Sequence, residues 1–196
     1  MPDIEIDIAE LAARLRRVED VQEITQLRAR YCQALDDGHW EALADTFTPD
    51  GAFVGLSTAR GRAEMLDFFP TLNATTVTSW WHFSSNETVE IDGDTAHGVT
   101  WLLQPCVVEG ESQLAAGRYT DTMVRTAEGW RFQERRVSFF FWSSLEEGWD
   151  AARFSWPPSV EAADSRTLER RDGADSQDSG TSRDAAAERE SSGSLQ

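Results

Sequence analysis

Thr95-Ala-His-Gly-Val-Thr-Trp-Leu-Leu-Gln-Pro-Cys-Val-Val108, followed by Glu109-Gly-Glu111, is the stretch on which the fold turns. It reads as one long strand closed by a hairpin connection. The same unit recurs on both sides. Residues 78–91 precede it across Asp92-Gly-Asp94, and residues 113–126 and 130–142 follow it, parted by Ala127-Glu-Gly129. Long strands joined in this way predict a strongly twisted antiparallel sheet.

Upstream the period changes from two to between three and four. Ile4, Ile8, Leu11, Leu15 and Val18 predict a first helix over residues 4–17. Asp20-Val-Gln-Glu23 resembles a capping box and predicts a restart. A second helix then runs over 21–36, with Val21, Ile24, Leu27, Tyr31 and Leu35 on one face and Gly38 as its C-terminal stop. Trp40, Leu43 and Phe47 mark a short third helix. Thr48-Pro-Asp-Gly51 is a turn signal before a short strand at 52–54. Residues 61–69 read as a helix ended by Pro70, and 71–77 as a loop. Helices followed by antiparallel strands give an α+β fold. The expected architecture is a cone-like curved antiparallel sheet, its concave face covered by the N-terminal helices and enclosing a pocket.

The aromatic residues fall almost entirely before Trp156-Pro-Pro158. One domain over residues 1–158 and a disordered acidic tail over 159–196 are therefore expected, since the tail has too little apolar surface to offset chain entropy. The net charge of −17 argues against binding a nucleic-acid backbone. All eighteen basic residues are arginine, which fits a high-salt habitat or a GC-rich genome equally. No apolar run approaches the roughly 20 residues of a membrane span. The acidic N-terminus lacks the regions of a signal peptide, so a cytoplasmic protein without membrane partners is expected. Two cysteines, Cys32 and Cys106, form neither a disulfide framework nor a metal cluster.

Three histidines are present. His39 falls at a helix start and His97 near a strand end. His82 lies in Ser79-Trp-Trp-His-Phe-Ser-Ser-Asn86, where alternation puts His82, Ser84 and Asn86 on one face. An isolated histidine there is more often a hydrogen-bonded core residue than a catalyst. It gains chemical meaning if it meets Asp36, which lies about 140° around the helix from Tyr31 at the rim of the buried face. A carboxylate beside an imidazole fixes its tautomer and raises its basicity. Of Arg135 and Arg136, one faces inward and needs an anionic partner. Tyr119 and Asp121 share a strand face, as a structural network or as part of a site. Trp81, Trp101, Phe139 and Trp142 supply candidate walls for a ring-bearing ligand.

These features together resemble the SnoaL-like group of the nuclear transport factor two superfamily. The resemblance rests on Arg30-Tyr31, Leu35-Asp36, Trp40, Phe47-Thr-Pro-Asp-Gly51, His82, Asn86, Ile91-Asp-Gly-Asp94, Gly117-Arg-Tyr119-Thr-Asp121 and Gly129-Trp-Arg-Phe132. It spans about residues 18–158 and implies a cystatin-like α+β barrel. Within the group the pattern is most similar to scytalone dehydratase, bile acid 7α-dehydratase and hexachlorocyclohexane dehydrochlorinase. That similarity implies His82 as base, Asp36 as its partner, Tyr31 as a helix tyrosine facing the substrate, and Arg135 as a pocket arginine. It also relates Arg153-Phe-Ser-Trp-Pro-Pro158 to a segment closing the pocket. Leu103-Gln104-Pro105 stands where the dehydratase carries another catalytic acid, which argues against a strict copy of its hydroxyl elimination.

The function expected is that of a cofactor-independent small-molecule lyase or isomerase, dehydratase-like, with a metal-free His82–Asp36–Tyr31 site. Arg135, Tyr119, Trp101 and Phe139 are expected to bind a hydrophobic, cyclic substrate. The alternatives are a non-catalytic ligand-binding or assembly module, and cyclase or hydrolase chemistry in the same pocket. The apolar run Phe139–Trp142 needs cover, and the resemblance implies a homotrimer, with a homodimer as the alternative.

Overall fold

The computed structural model describes residues 7–148. The domain boundary expected at 158, the tail beyond it and the closing Arg153–Pro158 segment lie outside the described residues. Helix α1 spans Ile8–Asp36, α2 Trp40–Ala44 and α3 Gly61–Thr75. The strands are β1 Phe47–Val54, β2 Thr58–Arg60, β3 Val77–Trp80, β4 Phe83–Asp92, β5 Thr95–Val108, β6 Glu111–Thr126 and β7 Gly129–Ser144. They form one strongly curled open sheet in the order β2-β1-β7-β6-β5-β3, with β4 also paired to β5. The α+β architecture is the expected one, with one parallel pair, β1 with β7, at its side. No helix among the described residues is long and apolar enough to cross a membrane.

The hairpin strands form where expected because alternate side chains, most of them apolar, are buried on one face. On β5 these are Ala96, Thr100, Leu102, Gln104, Cys106 and Val108, all buried. Two bulges in β7 bend the sheet. One shifts the register between Phe132 and Glu134, so that Phe132 and Arg135 both face inward. The other, at Phe140, lets Trp142 join Val137 on the inner face. There Gly117 lies against the Ser138 carbonyl, where a Cβ would stand 2.4 Å from that oxygen.

Helix α1 corrects the expected break at Asp20. It is one continuous helix, capped by Asp7, whose side chain accepts from the N–H groups of Ala9 and Glu10. The carboxylates of the apparent capping box reach across to the sheet. Asp20 binds Arg125 and the Trp130 indole N–H, and Glu23 accepts from the Trp130 main-chain N–H at 2.9 Å. The helix ends as expected. Gly38 has φ +69°, and the His39 N–H bonds back to the Ala34 carbonyl at 2.8 Å.

Three further expectations are corrected. Helix α3 continues through Pro70 to Thr75, because Leu72 packs against the core and its carbonyl holds the Thr76 N–H. The Thr48–Gly51 turn lies within β1, where it interrupts the register with β7. The first long strand is split into β3 and β4 at Trp81–His82. Trp80 pairs with Cys106 and Phe83 with Leu103, so Pro105 stands opposite Trp81. The Trp81 N–H bonds the Pro105 carbonyl at 3.1 Å, but proline has no N–H to return. The next residue, His82, turns its own N–H off the free edge of the sheet.

Candidate active site

That free edge is where the end of α1 docks. The Trp80 indole N–H donates to the Leu35 carbonyl at 3.0 Å, and Cys32 Sγ lies 3.3 Å from Ser84 Oγ. Between these two ties sits Asp36. One carboxylate oxygen accepts the His82 main-chain N–H at 3.0 Å, and the other lies 2.5 Å from His82 Nδ1. The His82 side chain is 4% exposed and that of Asp36 21%. An ionised carboxylate only accepts, so Nδ1 carries the proton toward Asp36, and the neutral ring has its lone pair on Nε2. The helix acid and the histidine at the β3–β4 break thus lie in contact.

His82 stands between two spaces. On one side is a polar cleft of about 400 Å³, bordered by Arg28, Asp36, Ser84 and Glu87 among others. On the other is an apolar chamber of about 30 Å³, whose walls include Tyr31, Gln104, Tyr119, Phe139 and Trp142. Tyr31 is fully buried, and its hydroxyl has no hydrogen-bond partner among the described residues. Burial pushes its pKa well above the ordinary phenol range, although Arg135 pulls the other way. It is thus a neutral donor held at the wall of the chamber.

Arg135 is 0% exposed and belongs to a layer behind the chamber wall. Its guanidinium lies 3.8 Å from the ring centre of Tyr119, 4.3 Å from that of Tyr31 and 4.5 Å from that of Phe132. Its Nε is 3.3 Å from Asp121 Oδ1. Burial works against its charge, but Asp121 and the neighbouring groups more than offset that. Asp121 also receives Arg28 Nε at 3.1 Å, and Arg28 in turn reaches Glu87 at 3.1 Å and the Thr88 carbonyl at 3.2 Å. Two cations and two anions thus form one chain from buried Arg135 out to exposed Glu87. The inward arginine takes its anionic partner, Asp121, from the neighbouring strand β6.

Of the expected substrate residues, Tyr119 and Phe139 border the chamber. Trp101 does not. It is 44% exposed, on the outer face of β5 between buried Thr100 and Leu102, and stacks on Phe140 at 5.3 Å. Strand alternation forces that outcome once Thr100 faces in. His39 is exposed at the start of α2, and His97 is exposed on β5. Sequence reasoning missed Arg28, Glu87 and Trp80 as neighbours of the site. For Arg28 a signal existed, since it follows Ile24 by four residues and precedes Tyr31 by three on the core face of the helix.

The SnoaL-like domain family matches residues 16–136, which take in the helix acid, the strand histidine and the arginine chain. The chain belongs to the SnoaL-like family. It is 32% identical over 143 residues to the uncharacterized protein Rv2910c of Mycobacterium tuberculosis, covering 66% of this chain and 87% of that one. An NTF2-like protein with a cystatin-like fold from Novosphingobium aromaticivorans is 34% identical, with a TM-score of 0.57, over 68% of this chain and 90% of that one. Hexachlorocyclohexane dehydrochlorinase LinA-type3 from Novosphingobium barchaimii shares the SnoaL-like fold. Its TM-score is 0.64 at 20% identity, over 74% of this chain and 99% of that one.

Proposed function

We propose that the protein is a cofactor-independent lyase or isomerase acting on a hydrophobic, ring-bearing small molecule, with His82 as its base. One observation carries this reading: Asp36 grips both the main chain and the Nδ1 of His82, at the border of an apolar chamber. The imidazole so held presents Nε2 as a base, and Asp36 stabilises the imidazolium that forms. The proton moves from substrate carbon to Nε2. The electron pair of the broken C–H bond passes into an adjacent carbonyl, or forms a double bond as a leaving group departs. The unpartnered Tyr31 hydroxyl is a donor for the developing oxygen charge.

Gln104, buried at the chamber wall, narrows the choice. A neutral amide can hold an oxygen but cannot deliver a proton to it. Proton relocation in an enolisable ketone, or loss of a group that leaves as an anion, needs no second acid. Dehydration of an alcohol does. The chamber holds about one water molecule's volume, so a ring enters by displacing the partly buried Leu56, Leu72 and Phe139 that border it.

Hydrogen–deuterium exchange at the α-carbon of a panel of cyclic ketones, followed by NMR in D2O, tests the base without knowledge of the natural substrate. Exchange is expected with the wild-type protein and not with His82→Ala. Equal exchange in both proteins would exclude His82 as the base.

A further inference from the structure

The first half of α1 has no visible reason to be a helix. From residue 7 to residue 19 every position except Ala12 is exposed. An isolated helix of that length is marginal in water. Yet Ile8, Leu11, Leu15 and Val18 are 78%, 55%, 57% and 62% exposed and form a continuous apolar stripe. At about 100° per residue this stripe lies nearly opposite the face of Ile24, Leu27, Tyr31 and Leu35 that enters the core. One helix thus carries two apolar faces, one on each half, turned to opposite sides. Asp20, bound to Arg125 and Trp130, marks the point where the helix leaves its own domain.

The steps of three, four and three are those of a heptad repeat, with Ile8 and Leu15 at a and Leu11 and Val18 at d. In the sequence the same repeat reaches back to Ile4. We propose that this stripe pairs with its counterpart on a second copy of the chain, as a parallel two-stranded coiled coil.

The charges beside the stripe select the partner and its direction. Arg14 falls at g and Glu19 at the following e, and both are exposed. In a parallel pair g faces the partner's e five residues on, so Arg14 of each chain meets Glu19 of the other. An antiparallel pair would set Ile8 against Val18 and bring the two Arg14 side chains together. The parallel arrangement also accommodates the domains. Each core-facing half points away from the partner helix, which leaves the two sheets on opposite sides of the pair.

Sedimentation equilibrium on the full chain tests this reading. A dimer is expected in the wild type. Leu11→Glu with Leu15→Glu should convert it to a monomer with its near-ultraviolet tryptophan spectrum intact. Arg14→Glu should raise the dissociation constant about tenfold, and the swap Arg14→Glu with Glu19→Arg should restore it. Mild oxidation of Ile8→Cys should give a covalent dimer, since native Cys32 and Cys106 are buried. A monomeric wild type would overturn the proposal; this is the result expected if residues 149–196 cover the stripe instead. An oligomer unchanged by the Leu11 and Leu15 substitutions would also overturn it, by pointing to the sheet face. Cross-linking of Ile8→Cys only to Val18→Cys would overturn the parallel direction.

Discussion

Two of the charged pairings made by α1 differ in what they leave open. At the end of the helix, Asp36 holds His82 through Nδ1 and main-chain N–H, and the second ring nitrogen stays uncommitted beside two spaces. Two turns earlier, Arg28 meets Asp121, which also carries Arg135, and both arginines are buried to within 2%. The first pair leaves a group free to react. The second encloses its charges and stiffens the wall on which Tyr31 rests. The contrast teaches that burial alone does not mark a reactive group. What matters is whether a lone pair or proton remains unclaimed at the edge of a space.

Breaking the enclosed chain should cost the most. Asp121→Ala strands the Arg135 guanidinium in the interior and takes one partner from Arg28, and unfolding by denaturant should show a loss of about 3–5 kcal/mol. A loss below about 1 kcal/mol would mean that the arginines find water. Breaking the open pair should act on chemistry instead. In Asp36→Asn the exchange rate should fall roughly a thousandfold while the melting temperature moves little. A histidine titration followed by NMR should also move at His82 in that variant, and an unmoved signal would separate the two side chains.

Tyr31→Phe sharpens the comparison. It removes an unpartnered buried hydroxyl, so stability should hold or rise slightly while exchange falls by about tenfold. A loss of stability would show that the hydroxyl has a structural partner. The smallest effect belongs to Asp20, whose carboxyl is held below the ordinary range by its hydrogen bond to Arg125. Its contribution is present above the unfolded value near ~3.9 and is lost as pH falls through the lower folded value. The gap in melting temperature between wild type and Asp20→Asn should be small near neutrality and vanish in acid. It should be worth less than about 1 kcal/mol.

Much of this contrast was legible in the sequence. The period change near residue 78 and the glycine-bearing turns after Ile91, Val108 and Thr126 announced the hairpin sheet. Asp36 at the rim and His82 in the polar run with Ser84 and Asn86 made the open pair a conditional expectation, carried by the family resemblance. What was hidden depended on partners distant in sequence. Asp20 and Glu23 read as a local cap because the chain does not advertise that Trp130 and Arg125 claim them. Pro70 read as a stop because Leu72's burial is a tertiary fact. Trp101 read as a pocket wall because composition supplies aromatic rings without assigning them a side of the sheet. The break at Trp81–His82 depended on Pro105, which lies across the ladder.

That break has a consequence for solubility. A free strand edge with an unclaimed N–H is a template on which a foreign strand can add. Here the neighbours of that N–H, Trp81 and Phe83, are 52% and 61% exposed. Asp36 occupies the edge at His82 and places a negative charge there. The carboxylate that orients the imidazole is therefore also a gatekeeper against edge-to-edge aggregation, and the helix end and the sheet edge protect each other.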